Sequence, residues 1–246
     1  MLELLLKNQL SAPRKQNFKN EILTRIKNRK AEPLNAEINF YKTELLPYFI
    51  KLSQHNPVFS VTEQLRLLVG VWTPIWSTVS FHQSLPKRIQ EQSFQIFQQN
   101  GCCASAARYI LGKEPSVCGD PTSKLLAYDF MVIQKYEVKN GKWYLQDMEK
   151  FQAFKNREIP LTVESVSNWF INVVNTQTKP NISEAILHPD IKLQNLEEYH
   201  AHQPEKTYLT SSQIFEHLYI DSDWRLVKTQ TDASQLPSYT IAVKIH

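Results

Sequence analysis

Two Asn-Gly dipeptides, Asn100-Gly101 and Asn140-Gly141, do most to restrict what this chain can fold into. Each lies between long stretches in which apolar and polar residues alternate. Asn-Gly accepts the positive backbone angles of a tight hairpin turn with little strain, so alternation on both sides of it reads as a pair of antiparallel strands. Residues 88–98 and 102–111 form the first pair, and residues 125–139 and 143–154 the second. In the third of these runs Leu126, Tyr128, Phe130, Val132, Tyr136 and Val138 share one face, interrupted by Gln134. Hairpins this close together predict an antiparallel meander.

The stretch Leu68–Ser77 predicts a first strand, within a β pattern that starts at Leu65. Its alternation sets Trp72, Pro74 and Trp76 on one face and Val71, Thr73 and Ile75 on the other. Gly70 lets the backbone bend or be closely approached at the strand's start. Pro74 has no N–H to give a ladder, which suits an edge, a bulge or the mouth of a barrel. Short runs at 206–211, 214–221, 224–229 and 239–245 predict further strands, with Asp221-Ser222-Asp223 as a turn. Seven to nine antiparallel strands suggest a closed barrel, which removes exposed edges. A short helix is expected over 163–175, capped by Thr162. Residues 180–205 show no sustained period.

Ahead of the strands the spacing is helical. Phe18, Ile22 and Ile26 lie on one face of a helix over 11–30, and Asn35 caps a second with Ile38, Tyr41, Leu45, Tyr48 and Leu52 aligned. Pro47 should kink or end it, and His55-Asn56-Pro57 terminates it. The organisation expected is thus a helical segment, 1–57, packing on a β-barrel, 58–246. The net charge of +4 is concentrated at the front. Residues 1–51 carry ten Lys/Arg and five Glu, a balance of +5, which leaves the remainder at −1. A basic helical segment can lie on an anionic membrane surface or simply present solvated faces. No run reaches the roughly 18 apolar residues of a membrane span, and Leu2–Leu6 is too short for a secretory leader. Three cysteines, two of them adjacent (Cys102 and Cys103), make a poor disulfide framework. A reduced, cytoplasmic setting is expected.

The chain lacks a Gly-x-Ser-x-Gly elbow, a Gly-rich phosphate loop, a His-Glu-x-x-His pair and a Cys-x-x-Cys pair. No catalytic residue and no metal site is therefore assigned; Glu197, Glu198, His200 and His202 would need outside ligands to hold a metal. The near-neutral β part gives no electrostatic groove, so nucleic acid is not an expected partner. A barrel of this size either fills with side chains or encloses a small ligand. Trp76, Phe94, Tyr128, Phe130, Tyr136 and Trp143 are the expected cavity lining, with Trp72 and Trp224 also candidates for the inward face. Arg225 lies near the chain's end, beside Trp224. In a closed barrel the last strands flank the first, so Arg225 can stack on Trp72, and Gly70, Trp72 and Arg225 would close the barrel. Lys87, Arg88, Arg25 and Lys27 are the candidates for contact with a membrane head group. Asp129 or Asp147 would be the polar group of an enzyme such as a chromophore lyase or isomerase. A third possibility is a solid barrel serving as a scaffold.

The stretch Leu67-Leu68-Val69-Gly70-Val71-Trp72-Thr73-Pro74-Ile75-Trp76-Ser77-Thr78, preceded by Asn56-Pro57, resembles the entry motif of the plastid lipid-associated protein (fibrillin) family. Residues 85–97 are similar to its cyanobacterial and algal branch, and His217–Lys228 to its closing motif, with Tyr219, Asp221 and Arg225 at the matching positions. The turn at 231–235 departs from the family's Gly-rich form, and 180–205 do not align. The resemblance implies a lipocalin-like (calycin) barrel that binds hydrophobic molecules without turning them over. It requires no cofactor, though a carotenoid, a prenylquinone, a fatty acid or another lipid would be its bound partner. It also implies peripheral association with the thylakoid of a cyanobacterium or with a plastid.

Overall fold

The computed structural model describes residues 15–27, 34–58, 60–78, 88–111, 126–177, 212–230 and 236–246. The protein is mainly β. Its strands are β1 (Gly70–Ser77), β2 (Arg88–Phe97), β3 (Cys102–Leu111), β4 (Leu126–Lys139), β5 (Lys142–Asn156), β6 (Ser212–Ile220), β7 (Trp224–Gln230) and β8 (Ser238–Ile245). Each pairs antiparallel with the next, and β1 also pairs with β8, so the eight-stranded sheet rings round on itself. Both Asn-Gly turns are hairpins as expected: Asn140 and Gly141 take φ 53° and 72°, and Gly101 takes φ 86°. The strand expected at 206–211, the acidic-histidine cluster near 200 and Lys87 lie outside the described residues.

The helices are α1 (residues 15–26), α2 (Leu34–Phe40), α3 (Leu46–Gln54), α4 (Val61–Leu68) and α5 (Val163–Gln177). Pro47 neither ends nor breaks the second helix. A π-helical turn, Tyr41–Leu45, joins α2 to α3 just ahead of it, and the Leu46 N–H bonds to the Tyr41 carbonyl, five residues back. Proline cannot make its own i→i−4 bond, and the wider turn takes up the mismatch. The helix α4 was not expected, since the β pattern was read from Leu65 onward. Its signal is the spacing of Val61, Leu65 and Leu68, which places all three on one face. In α5, Thr162 and Ser165 cap reciprocally: the Ser165 N–H donates to Thr162 Oγ1 at 3.1 Å, and the Thr162 N–H to Ser165 Oγ at 2.9 Å.

Bulges decide which aromatic residues face in. Between Pro74 and Trp76 the register of β1 against β8 shifts by one, and between His217 and Tyr219 that of β6 against β7 does the same. An extra residue in one strand reverses the face of everything beyond it. Trp72 and Pro74 therefore share the inner face, but Trp76 turns outward against Phe40 and Phe49, with ring centroids 6.4 and 5.9 Å away. Tyr219 likewise turns outward, joining Trp224, Leu226 and Ile241 under the N-terminal helices. Lys19 of α1 ion-pairs with Asp221, which also accepts a bond from Tyr219 Oη at 2.6 Å, and this fixes α1 to the β6–β7 turn. On the other side α5 sets Val166, Phe170 and Val173 over Phe94, Ile96, Met131 and Ile133. The outer face of the sheet is thus as apolar as the inner one wherever a helix covers it.

The ring is unevenly joined. Among the described residues β1 meets β2 only from Gly70–Trp72 to Gln95–Phe97, and β5 meets β6 only from Trp143–Gln146 to Ser212–Phe215. The strands β2 to β5 are paired over nearly their full lengths. At the joined end Gly70 takes φ 125°, and a Cβ there would stand 2.8 Å from Lys244 Cε. Only glycine suits that backbone conformation at that approach.

Candidate functional site

The helix α4 closes the well-paired end of the ring. Its Leu65 and Leu68 pack on Trp72, Phe97, Tyr136, Trp143 and Phe215. Trp72 Nε1 donates to the Leu68 carbonyl at 2.7 Å, and Trp143 Nε1 to Gln64 Oε1 at 3.0 Å. Asn56, at the end of the helical segment, holds the β6 bulge. Its Oδ1 accepts from the Ile220 N–H at 3.2 Å, and its Nδ2 donates to the His217 carbonyl at 3.5 Å. Backbone groups that a bulge removes from the ladder are in this way paired with a side chain.

On this aromatic floor lie two cationic side chains, Arg225 buried and Lys244 partly exposed. Arg225 is 2% exposed, and its guanidinium stands 5.1 Å from the Trp72 ring centre and 4.6 Å from that of Phe97. The stacking of Arg225 on Trp72 expected from the sequence is thus present. One terminal nitrogen, Nη2, donates to Gln95 Oε1, while Nε has no partner among the described residues. Burial brings its pKa down to about 9, which leaves it charged at neutral pH. Lys244 also stands over Trp72, at 5.3 Å, and donates to the Leu67 carbonyl at 2.8 Å.

His217 lies edge-on to Trp143 and Phe215, with centroids 5.6 and 5.3 Å away, and among the described residues neither ring nitrogen has a hydrogen-bond partner. Burial, reinforced by the charge of Arg225, holds its pKa well below the ordinary imidazole value. The unfolded chain therefore takes up a proton near pH 6.5 that the folded protein does not. Stability is fully present above about pH 6.5 and falls by about 1.4 kcal/mol per pH unit below it, until the depressed folded value is reached. Urea midpoints measured between pH 5 and 8 should show this acid-side slope reduced in His217→Phe. An equal slope in both proteins would remove His217 as its source.

Above the floor the inner face becomes more polar. Gln134 Nε2 donates to Asp147 Oδ1 at 2.7 Å, and Gln134 Oε1 accepts from Ser105 Oγ at 3.2 Å. Further along, Tyr109, Tyr128, Phe130 and Phe154 form an aromatic wall with Ala107, and Phe130 and Phe154 are partly exposed. Ser77, Ser93, Gln95, Ser105, Thr229 and Thr240 on the inner face are also partly exposed.

Of the expected lining residues, Tyr128, Phe130, Tyr136 and Trp143 lie on the inner face. Trp76, Phe94 and Trp224 do not, because bulges and helix-covered outer faces place them beneath helices. Asp129 also faces outward, where it receives Arg108 Nε and Nη2 at 2.6 and 2.7 Å. Arg108 additionally bonds the Ile159 carbonyl. Of the two aspartates named for an enzyme, only Asp147 faces the interior. Arg25 is engaged by Glu21 and Glu44 and stacks 4.4 Å from the centre of Tyr48, while Lys27 is exposed. Arg88 opens β2. Reading the sequence missed Gln95, Phe97, Phe215 and His217. The signal for the last two was their shared face in the run 214–221.

No helix among the described residues is long and apolar enough to cross a membrane. Among those residues no group of three or more His, Cys, Asp or Glu is placed to hold a metal ion. The chain matches no family model and no curated protein.

Proposed function

We propose that the protein is a lipocalin-like barrel that binds a hydrophobic small molecule, of the isoprenoid, carotenoid, prenylquinone or fatty-acid type, without transforming it. The observation that carries this reading is the graded inner face. A sealed aromatic floor of Trp72, Phe97, Tyr136, Trp143 and Phe215 lies below partly exposed inner residues and a partly exposed aromatic wall around Phe130 and Phe154. A site closed at one end and rich in aromatic surface suits a long apolar ligand whose orientation is set by few polar groups. The resemblance of the Gly70–Trp72 and Tyr219–Arg225 motifs to plastid lipid-associated proteins supports the same ligand class and peripheral association with a photosynthetic membrane.

Organic extraction of the natively purified protein, followed by mass spectrometry, should yield an apolar molecule in near-stoichiometric amount. Reloading the stripped protein should quench the fluorescence of Trp72 and Trp143, which line the floor. A stripped protein that takes up no apolar compound from a panel of carotenoids, quinones and fatty acids would sink the proposal.

A further inference from the structure

We infer that the interior selects amphiphiles with an anionic head group, a carboxylate on an apolar chain, and that Arg225 receives the head. The inference rests on the apolar-ligand reading above and narrows its ligand class.

Arg225 is a full positive charge in the interior. Among the described residues it has no carboxylate partner. Gln95 gives it an amide oxygen, which satisfies a hydrogen bond but neutralises nothing. The rings of Trp72 and Phe97 offer their faces, which attract a cation without cancelling its charge. Cys103 lies nearby, but burial pushes its thiol far up, so it remains neutral. Asp147 on the inner face accepts its bond from Gln134, not from Arg225. Buried charges are ordinarily paired.

The unsatisfied donors point to the same conclusion. Arg225 Nε and both nitrogens of His217 are buried and have no partner among the described residues. A neutral imidazole keeps one N–H. The guanidinium and that N–H are the donors that a carboxylate on this floor would take, and charge-assisted bonds of this kind are roughly twice as strong as neutral ones.

The route we infer for the head group runs along the β1–β2 seam. Among the described residues the pairing of these strands stops at Trp72 and Gln95, and Gln95, which holds Arg225, is itself partly exposed. A neutral isoprenoid entering the same way would remove water from the mouth of the site and leave Arg225 uncompensated. An acid would supply the missing charge, with its chain lying along the wall of Tyr128, Phe130 and Phe154.

The test compares oleic acid, its methyl ester and the neutral isoprenoid alcohol phytol on the full-length, stripped protein at neutral pH, read by tryptophan quenching and calorimetry. Oleic acid should bind about tenfold or more tightly than the ester. In Arg225→Gln the acid should lose that advantage while the ester keeps its affinity. Should Arg225→Gln fail to fold, Arg225→Lys keeps the charge without the planar fork and should retain part of the preference. The acid–ester comparison on the unaltered protein stands without either variant. If ester and phytol bind as tightly as the acid, the head-group inference falls and apolar binding survives. If none of the three binds, both fall together.

Discussion

Replacing Arg108 by Leu lowers the unfolding free energy by about 3–5 kcal/mol, the range for breaking one side of a buried ion pair. Both partners are 2% exposed, on the outer face where β3 and β4 place Arg108 and Asp129 opposite each other. The variant leaves a carboxylate there without a cation and the Ile159 carbonyl without a donor. Asp129→Leu should cost a similar amount, by leaving the guanidinium unpaired. The double variant, with Leu at both positions, should recover most of the loss, because two apolar side chains need no partner. Urea denaturation of the four proteins gives the coupling directly. Additive losses in the double variant would show that the pair does not act as a unit. Neither substitution touches the inner face, so ligand uptake should be unchanged in whatever fraction folds.

The second large effect is expected at Trp72. Trp72→Ala removes a fully buried indole and should cost about 3–5 kcal/mol. It leaves Arg225 with one aromatic face instead of two, takes the ring away from Lys244, and frees the Leu68 carbonyl at the end of α4. Trp72→Phe separates these roles. It keeps an aromatic face for both cations and loses the indole N–H, so it should cost about 1–3 kcal/mol. Thermal and urea unfolding should rank the unaltered protein above Phe and Phe above Ala. A Phe variant as unstable as Ala would assign the stabilisation to the bond with α4 rather than to the stacked cations.

These residues show what a one-dimensional pattern carries. The hairpins were legible because Asn-Gly is a local signal, and all the strands from β2 to β5 fell where the alternation placed them. The meeting of Arg225 with Trp72 was legible because ring closure sets the last strands beside the first. The inner face was less so. Alternation reports that two environments differ, and here both are apolar: Phe94 and Ile96 lie under α5 while Phe97 and Gln95 face inward. Trp76 was misplaced for another reason, since one bulge residue, Ile75, reverses the face of its strand and leaves no mark in hydrophobicity. Both errors sent outer residues into the interior. Gln95 and His217 were overlooked because polar residues ordinarily face water, and only the folded arrangement shows them against Trp72 and Trp143.

The ladder between β1 and β8 also bears on how the molecule assembles. It joins Val71 to Ile245, across almost the whole β part of the chain, whereas β2 to β5 are joined by neighbouring hairpins. Contacts between distant segments pay their loop-closure entropy before they return anything, so local pairings form sooner. We therefore expect the β2–β5 meander to become protected first in pulsed hydrogen-exchange refolding, with the β1–β8 amides last. Simultaneous protection of both would mean that closure is part of the folding nucleus. If the order holds, Trp72 meets Arg225 only in the final step, and the charge at the base of the ring stays hydrated until the ring shuts around it.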